Sequence, residues 1–184
     1  MSSIDHPLIV GSAPTPDSVW RTQLLDETHT QALADTMARS PVLANVVIAL
    51  HGDLGAGKTT LVRHLLRALG VAGRIKSPTY TVVEPHEAPW PAAWGAHTGA
   101  PLNIWHFDFY RFTDPREWED AGFRELFAQP GLKLVEWPEK AQGMMPTPDA
   151  DLSLHPMDDH EHSRRLTFMA RTPRGQQLLE AARS

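Results

Sequence analysis

The sequence contains no cysteine, and none of its apolar runs approaches the roughly 20 residues that a membrane-spanning helix needs. Disulfide bonds and thiolate metal sites are therefore excluded. The first residues, MSSIDHPLIVGSAPTPDSVW, have no basic segment ahead of their short apolar run, so no secretory signal peptide is predicted. These absences favour a cytoplasmic location without membrane contact.

Positive charge is also scarce, because 17 lysine and arginine residues stand against 22 aspartate and glutamate residues, for a formal net charge of −5. A surface that grips nucleic acid needs clustered positive charge. Two short basic stretches exist, one with Arg63, Arg67, Arg74 and Lys76 and one between residues 164 and 174. We interpret both as mainly solvated faces, and we expect no DNA partner.

The rest of the composition is that of one globular domain. A hydrophobic content of 41% and a charged content of 21% are ordinary for such a chain of 184 residues. Residues 1–18, rich in serine and proline, are predicted to be a flexible leader. Residues 19–184 are predicted to be the domain, with an irregular inserted loop at about 86–101 where Pro, Gly and Ala are dense.

Hydrophobic patterning predicts strands that alternate with helices. The predicted strands are SVWRTQLL, VLANVVIALHG, TYTVVEP, LNIWHFDFYRF, GLKLVEWPEKA, DLSLHP and RRLTFMAR. The predicted helices are DETHTQALADTMARS, KTTLVRHLLRALG, DPREWEDAGFRELF (with Asp114 as N-cap) and PRGQQLLEAARS. Such alternation indicates an α/β fold with a central, mostly parallel sheet, flanking helices and antiparallel edge strands.

The segment HGDLGAGKTT, His51 to Thr60, matches the phosphate-binding pattern G-x-x-x-x-G-K-[ST] between a buried strand and an amphipathic helix. Its glycines let backbone N–H groups turn toward one anion, and the helix N-terminus adds a positive dipole. Lys58 is predicted to reach the β- and γ-phosphates, and the Thr59 hydroxyl to ligate Mg²⁺. The predicted nucleotide contacts are Gly52, Asp53, Leu54, Gly55, Ala56, Gly57, Lys58, Thr59 and Thr60.

The ligand predicted for this loop is a purine nucleoside triphosphate with Mg²⁺. No N-K-x-D sequence of the kind that reads guanine follows the loop, which favours adenine and hence ATP. The loop pattern makes the fold a P-loop NTPase-like one.

Phosphoryl transfer also needs a carboxylate on the magnesium side and a group that positions the attacking water or acceptor. Asp108 and Glu136 each end an apolar strand, where ligands gather in parallel sheets. From the pattern alone, each is equally well explained as a turn or cap residue. Thr79, after the Pro-stiffened bend in KSPTYT, contacts the γ-phosphate or its metal on one interpretation and merely begins a strand on the other.

Five motifs taken together, GDLGAGKTT, SPTYTVVE, HFDFYRF, GFRELF and VEWPEKA, resemble the bacterial TsaE (YjeE) family over about residues 20–170. These are small P-loop ATPases of tRNA threonylcarbamoyladenosine biosynthesis. The resemblance implies that Asp108 is a catalytic residue, the strand acid near the γ-phosphate and the catalytic water, and that Glu136 is the Walker-B-like acid on Mg²⁺. It further implies that Ser77 to Thr79 form a switch-like element and that Trp137 lies beside the nucleotide.

The function implied is that of a Mg²⁺-dependent ATPase, slow by itself, that supports the TsaD–TsaB pair and meets tRNA only through that complex. A nucleotide-gated binding module, in which hydrolysis is incidental, is the alternative. A small-molecule kinase is a weaker one, because no acceptor pocket or Arg-rich lid is evident. The family usually has a shorter connection than residues 86–101, which leaves the loop geometry and the partner surface open.

Several other residues have simpler interpretations. The stretch HPMDDHEHS, residues 155–163, suggests a metal site but is better explained as a hairpin tip. Trp90 and Trp94 are expected to pack the inserted loop onto the body. His106 shares a strand face with Asp108, and we expect it to pack or to support the site indirectly.

Overall fold

A computed structural model describes residues 18–95, 99–157 and 160–184, which contribute seven strands to one sheet. The strands are β1 (Val19–Leu24), β2 (Val47–His51), β3 (Val83–Ala88), β4 (Leu102–Asp108), β5 (Leu132–Glu136), β6 (Ala150–Met157) and β7 (His160–Ala170). The helices are α1 (Glu27–Ala38), α2 (Lys58–Ala68), α3 (Glu117–Asp120), α4 (Phe123–Ala128) and α5 (Pro173–Arg183). The predicted leader lies outside the described residues except for Ser18.

The sheet has a parallel centre and antiparallel edges, in the order β1–β7–β6–β2–β5–β4–β3. Strands β6, β2, β5 and β4 pair in parallel, while β1, β7 and β3 join antiparallel. This confirms the predicted α/β fold. Because the carboxyl ends of parallel strands meet at one edge, the segments that follow β2, β4 and β5 come together there.

Each face of the sheet has its own core. Ile104, Leu132 and Leu134 pack with the apolar faces of α1, α2 and α5, whereas Phe107 and Val135, on the opposite face, pack with aromatic side chains of α3 and α4. Alternation along β4 and β5 produces this division, since successive side chains point to opposite faces. The face that carries α2 is therefore also the face of His106, Asp108 and Glu136.

Two predicted strands begin several residues later than expected. The run from Val42 begins as a 3₁₀ helix, Pro41–Asn45, because Pro41 starts a helical turn that the β-branched pattern does not reveal. Residues 79–82 form a turn in place of the predicted strand start, with Val82 at φ +66° and its N–H bonded to Pro78 O. Strand β3 starts only at Val83 and continues to Ala88, so the first residues of the predicted inserted loop belong to a strand.

The predicted helix from Asp114 is divided in two by Gly122, which has φ +71°. Asp114 is not the N-cap of α3. Its carboxylate instead accepts from Arg116 N, and Arg116 occupies the cap position. In return, the Glu117 carboxylate accepts from the backbone N–H groups of Thr113 and Asp114, so Asp114 and Glu117 make the reciprocal contacts of a capping box on the turn that leads into α3.

The tryptophans of the inserted loop pack onto the body of the domain, as predicted. Trp94 Nε1 donates to Ala38 O at 3.0 Å, and the Trp90 and Trp94 rings meet edge to face at 5.2 Å. Residues 96–98 of this loop lie outside the described residues. At the other predicted tip, β6 and β7 pair as an antiparallel hairpin, and Asp158 and Asp159 lie outside the described residues.

Candidate functional site

The predicted phosphate-binding loop connects β2 to α2 and needs glycine at its first position. Gly52 has φ +135°, and a Cβ there would lie 2.3 Å from the backbone oxygen of Leu154 on β6. Gly57 has φ +102° and caps α2, which begins at Lys58. The loop thus runs straight from a buried strand into a helix N-terminus, the arrangement that binds anions.

Lys58 is the first residue of α2, and its side chain folds back over the loop. Its ammonium donates to Gly52 O at 2.5 Å and to Asp53 O at 2.9 Å, and it lies 4.0 Å from the centroid of the Trp137 ring. Burial lowers the pKa of Lys58, although the nearby carboxylates, led by Glu136, act in the opposite direction. The Lys58 ammonium is therefore held over the loop at the start of α2.

Thr59 and Glu136 meet across the site. The Thr59 hydroxyl is 2.9 Å from both carboxylate oxygens of Glu136 and donates to that group. Glu136 is the last residue of β5 and is only 2% exposed. Hydroxyl and carboxylate oxygens are the ligands that Mg²⁺ prefers, and Mg²⁺ commonly takes only one or two of them from a protein. These two residues fit such a cation.

Asp108, at the end of β4, anchors the segment that follows α2. Its Oδ2 accepts from Ser77 Oγ at 3.0 Å and from Thr79 Oγ1 at 2.6 Å, and its Oδ1 accepts from Tyr110 N at 3.0 Å. A carboxylate has about four lone-pair positions, so one acceptor position remains. The predicted switch-like element therefore rests directly on the predicted catalytic acid.

Trp137 follows Glu136 with a left-handed backbone, φ +57°, which turns the chain sharply out of β5. Its ring lies 5.1 Å from the Tyr110 ring and faces the Lys58 ammonium. The sequence interpretation had missed Tyr110. The signal was available, because Tyr110 stands two residues after Asp108 and so belongs near the same edge.

One cavity of about 260 Å³ collects these groups. Gly52 and Asp53 do not line this cavity, but their carbonyl groups accept hydrogen bonds from the Lys58 ammonium, which does. The other predicted site residues do line it, together with Ser77 and Tyr110: Leu54, Gly55, Ala56, Gly57, Lys58, Thr59, Thr60, Thr79, Asp108, Glu136 and Trp137.

A second cavity, of about 410 Å³, lies on the other side of the loop. The two cavities share Ala56, Gly57 and Thr60. Residues from the β1–α1 junction and from β6 and β7 complete its wall, Leu154 and Arg164 among them. Arg164 Nε donates to Ala56 O at 3.0 Å, so this arginine supports the loop.

The two basic stretches of the sequence differ in whether their side chains form a shared surface. Arg63, Arg67, Arg74 and Lys76 converge on one open surface groove that reaches Ser77. The second stretch forms no such patch, since Arg164 bonds the loop, Arg171 pairs with Asp151 and Arg174 donates to Asn45 O.

No group of three or more His, Cys, Asp or Glu side chains is placed to hold a metal ion in residues 18–95, 99–157 and 160–184. Over the same part of the chain, no helix has the length and apolar character needed to cross a membrane.

Comparison with known proteins agrees with these motifs. Residues 24–166 match the family model described as threonylcarbamoyl adenosine biosynthesis protein TsaE. The tRNA threonylcarbamoyladenosine biosynthesis protein TsaE of Haemophilus influenzae is 39% identical over 136 residues, covering 74% of this chain and 77% of that protein. The Bacillus subtilis protein of the same name is 32% identical over 161 residues, covering 88% and 90%.

A solved structure shares the fold. The crystal structure of Bacillus subtilis YdiB superposes with a TM-score of 0.67 at 25% identity, covering 90% of this chain and 94% of that one. The family model alone spans well over half of the chain, and it includes the loop, both strand-end acids and Trp137. The chain therefore belongs to the TsaE family.

Proposed function

We propose that this chain is a cytoplasmic, Mg²⁺-dependent ATPase that supports a TsaD–TsaB complex in forming threonylcarbamoyladenosine beside the anticodon of tRNA. Membership of the TsaE family supports the pathway. The observation that carries the nucleotide chemistry is the 2.9 Å contact of Thr59 with Glu136, because it brings the two predicted Mg²⁺ ligands together at the start of α2.

On this proposal, the side chains have distinct tasks. Lys58 exchanges its contacts with the loop carbonyls for the phosphates, and Thr59 and Glu136 hold the cation. Asp108 uses its remaining acceptor position to orient the attacking water. When bound, ATP supplies the γ-phosphoryl group, and Mg²⁺ neutralises charge on the phosphates.

On this proposal, the two cavities bind different parts of the ATP molecule. The phosphates belong in the cavity of Lys58, Thr59 and Asp108. The nucleoside belongs in the adjoining cavity beyond Ala56 and Thr60, because that space continues from the loop and is large enough for a base. Base and phosphates then lie on the two sides of the glycine-rich loop.

Exposed apolar side chains around the phosphate cavity support a protein partner. Leu54 and Tyr110 line the mouth and are 76% and 41% exposed, and Tyr80, next to Thr79, is 83% exposed. The Arg111 guanidinium stacks 4.3 Å from the Tyr80 ring centroid. Such a cluster beside a polar cavity is typical of a surface that another protein covers. We propose that TsaD or TsaB covers it and that tRNA is met only through the complex.

The contacts of Asp108 also favour the second candidate, a nucleotide-gated binding module. Ser77 and Thr79 tie residues 77–82 to Asp108, so nucleotide binding at Asp108 would move a segment that includes the exposed Tyr80. In that case occupancy alone sets the affinity for the partners, and hydrolysis is incidental.

Steady-state ATP hydrolysis by the purified chain, alone and with its cognate TsaD and TsaB, tests the proposal. Asp108→Asn is the matched variant, because it removes the charge and keeps the shape of the side chain. We expect slow hydrolysis by the chain alone, clear stimulation by the partners, and loss of that stimulation in Asp108→Asn with ATP still bound. Hydrolysis that stays flat while ATP still strengthens the complex would contradict the ATPase and favour the gated module.

A further inference from the structure

His106 occupies a position on β4 where the strand pattern leads one to expect an apolar side chain. It is 0% exposed and lies on the same face as the buried Ile104. Its Nε2 is 2.8 Å from Glu136 Oε1, whereas its Nδ1 is buried without a hydrogen-bond partner in the part of the chain that the structure describes. Burying an imidazole with one nitrogen unsatisfied costs free energy. Packing alone therefore does not account for a histidine here.

The surroundings of His106 place a proton on one of its ring nitrogens. The carboxylate of Glu136 can only accept, so the proton of the short contact belongs to Nε2. The geometry thus assigns the donor of this contact to Nε2 of His106.

This donated hydrogen bond fixes the Glu136 carboxylate. Oε1 lies between the His106 ring and the Thr59 hydroxyl, which sets the plane of the carboxylate. Oε2 contacts Thr59 and receives nothing from His106. Without the imidazole, the terminal torsion of the glutamate would be free to rotate, because that torsion has broad minima.

We propose that His106 is a positioning residue that holds Glu136 in the orientation in which it binds the cation of the nucleotide. This inference rests on the proposed function, since it presupposes Mg²⁺ at Thr59 and Glu136. His106 does not contact the cavity itself, and its effect passes through Glu136. Partners that orient a metal ligand commonly contribute 10–100-fold to metal affinity.

Calorimetric titration with ADP tests the role without any turnover. ADP affinity is measured first in EDTA and then across a series of MgCl₂ concentrations, for the parent chain, His106→Leu and His106→Gln. Leucine removes the donor, whereas the glutamine amide places an N–H near the position of Nε2. His86→Leu is the control, because His86 lies on the same face of the neighbouring strand but has no hydrogen bond to Glu136 among the described residues.

We expect all variants to bind ADP equally in EDTA. The quantity compared is the MgCl₂ concentration at which half of the Mg²⁺-dependent increase in ADP affinity is reached. In His106→Leu this concentration should rise by about 10-fold or more, while in His106→Gln and His86→Leu it should stay within about 3-fold of the parent value. Should His106→Leu not fold, His106→Asn takes its place, because its amide is too short to reach Glu136 but is polar.

The proposal is overturned if His106→Leu or His106→Asn responds to MgCl₂ as the parent does, or if His86→Leu shifts as far as they do. It also fails if ¹⁵N spectra of the nucleotide-free parent, assigned by comparison with His106→Gln, show Nε2 of His106 without a proton. Failure of the proposed function is a different result, visible in the parent alone: ADP does not bind, or MgCl₂ leaves its affinity unchanged.

Discussion

The Thr59 hydroxyl lies 2.9 Å from both carboxylate oxygens of Glu136, a residue 77 positions further along the chain. Thr59→Val keeps the shape of this side chain and removes its hydroxyl. We expect the Mg²⁺-dependent part of ATP affinity to fall by at least about 10-fold, because a ligand and a charge-assisted hydrogen bond are both lost. Titration of ATP with and without MgCl₂ measures the effect.

Thr59→Ser provides the matched control, since it retains the hydroxyl and loses only a methyl group. It should bind within about 3-fold of the parent at each MgCl₂ concentration. Equal weakening in the valine and serine variants would show that side-chain volume, and not the hydroxyl, governs the site.

The Thr79 hydroxyl, 2.6 Å from Asp108 Oδ2, is expected to matter for turnover more than for binding. Thr79→Val removes one of the donors that orient Asp108, so partner-stimulated kcat should fall by about 10-fold while ATP affinity changes little. Thr81→Val, two residues away and exposed, is the control. An unchanged kcat in Thr79→Val would show that the switch-like segment has no role in ATP hydrolysis.

Two glycines of the predicted phosphate-binding loop should differ sharply in their tolerance of alanine. A Cβ on Gly52 would meet the backbone oxygen of Leu154 at 2.3 Å, and backbone cannot move cheaply, so Gly52→Ala should lower the free energy of unfolding by about 3 kcal/mol. A Cβ on Gly55 meets nothing within 4 Å, and Gly55→Ala should cost only about 1 kcal/mol for its φ of +81°.

Denaturant unfolding of the nucleotide-free variants measures this difference. Nucleotide is left out because a bound ligand would stabilise the folded state, and we expect either substitution to change ligand affinity as well as folding stability. If both variants lose the same amount of unfolding free energy, the close approach of Gly52 to β6 does not constrain the fold.

Asp151, on β6, gives the stability a predictable dependence on pH. Its burial raises the pKa of the carboxyl, but hydrogen bonds from His51 and Arg171 outweigh burial and hold the pKa below its usual value of 3.8. The stabilisation is therefore complete above pH 3.8 and is lost as the pH falls through the lower, folded-state pKa.

Asp151→Asn should lower the free energy of unfolding by about 2 kcal/mol at pH 7, because charge-assisted hydrogen bonds are removed. The difference in the free energy of unfolding between parent and variant should become smaller as the pH falls below 3.8. Urea unfolding at several pH values checks this, with Asp35→Asn, an exposed carboxylate on α1, as the control. A difference that remains constant down to the lowest pH would contradict the assigned role of Asp151.

Much of the site could be predicted from local sequence. The loop, its preceding strand and its following helix are contiguous, and Asp108 and Glu136 each end an apolar run, so parallel pairing alone brings them to one edge. The motifs also carried the family resemblance that the comparisons confirm. Their roles in catalysis and metal binding remain predictions.

The contacts among these residues could not be predicted in the same way. The bond from His106 to Glu136 depends on the register of β4 against β5, in which Asp108 is opposite Glu136, and no local pattern sets that register. The broken helix at Gly122 shows a related difficulty. An isolated glycine is tolerated within many helices, and only packing decides whether it takes a left-handed backbone.

The resting position of Lys58 has a consequence for ligand selection. Its ammonium already bonds two loop carbonyls and faces the Trp137 ring, so only one of its three N–H donors is left for an incoming anion unless those bonds are given up. A single inorganic phosphate offers few compensating interactions, whereas a nucleotide adds those of its remaining phosphates and its base. On the proposed function, we expect competition from the protein's own groups to widen the difference in affinity between whole nucleotides and small anions.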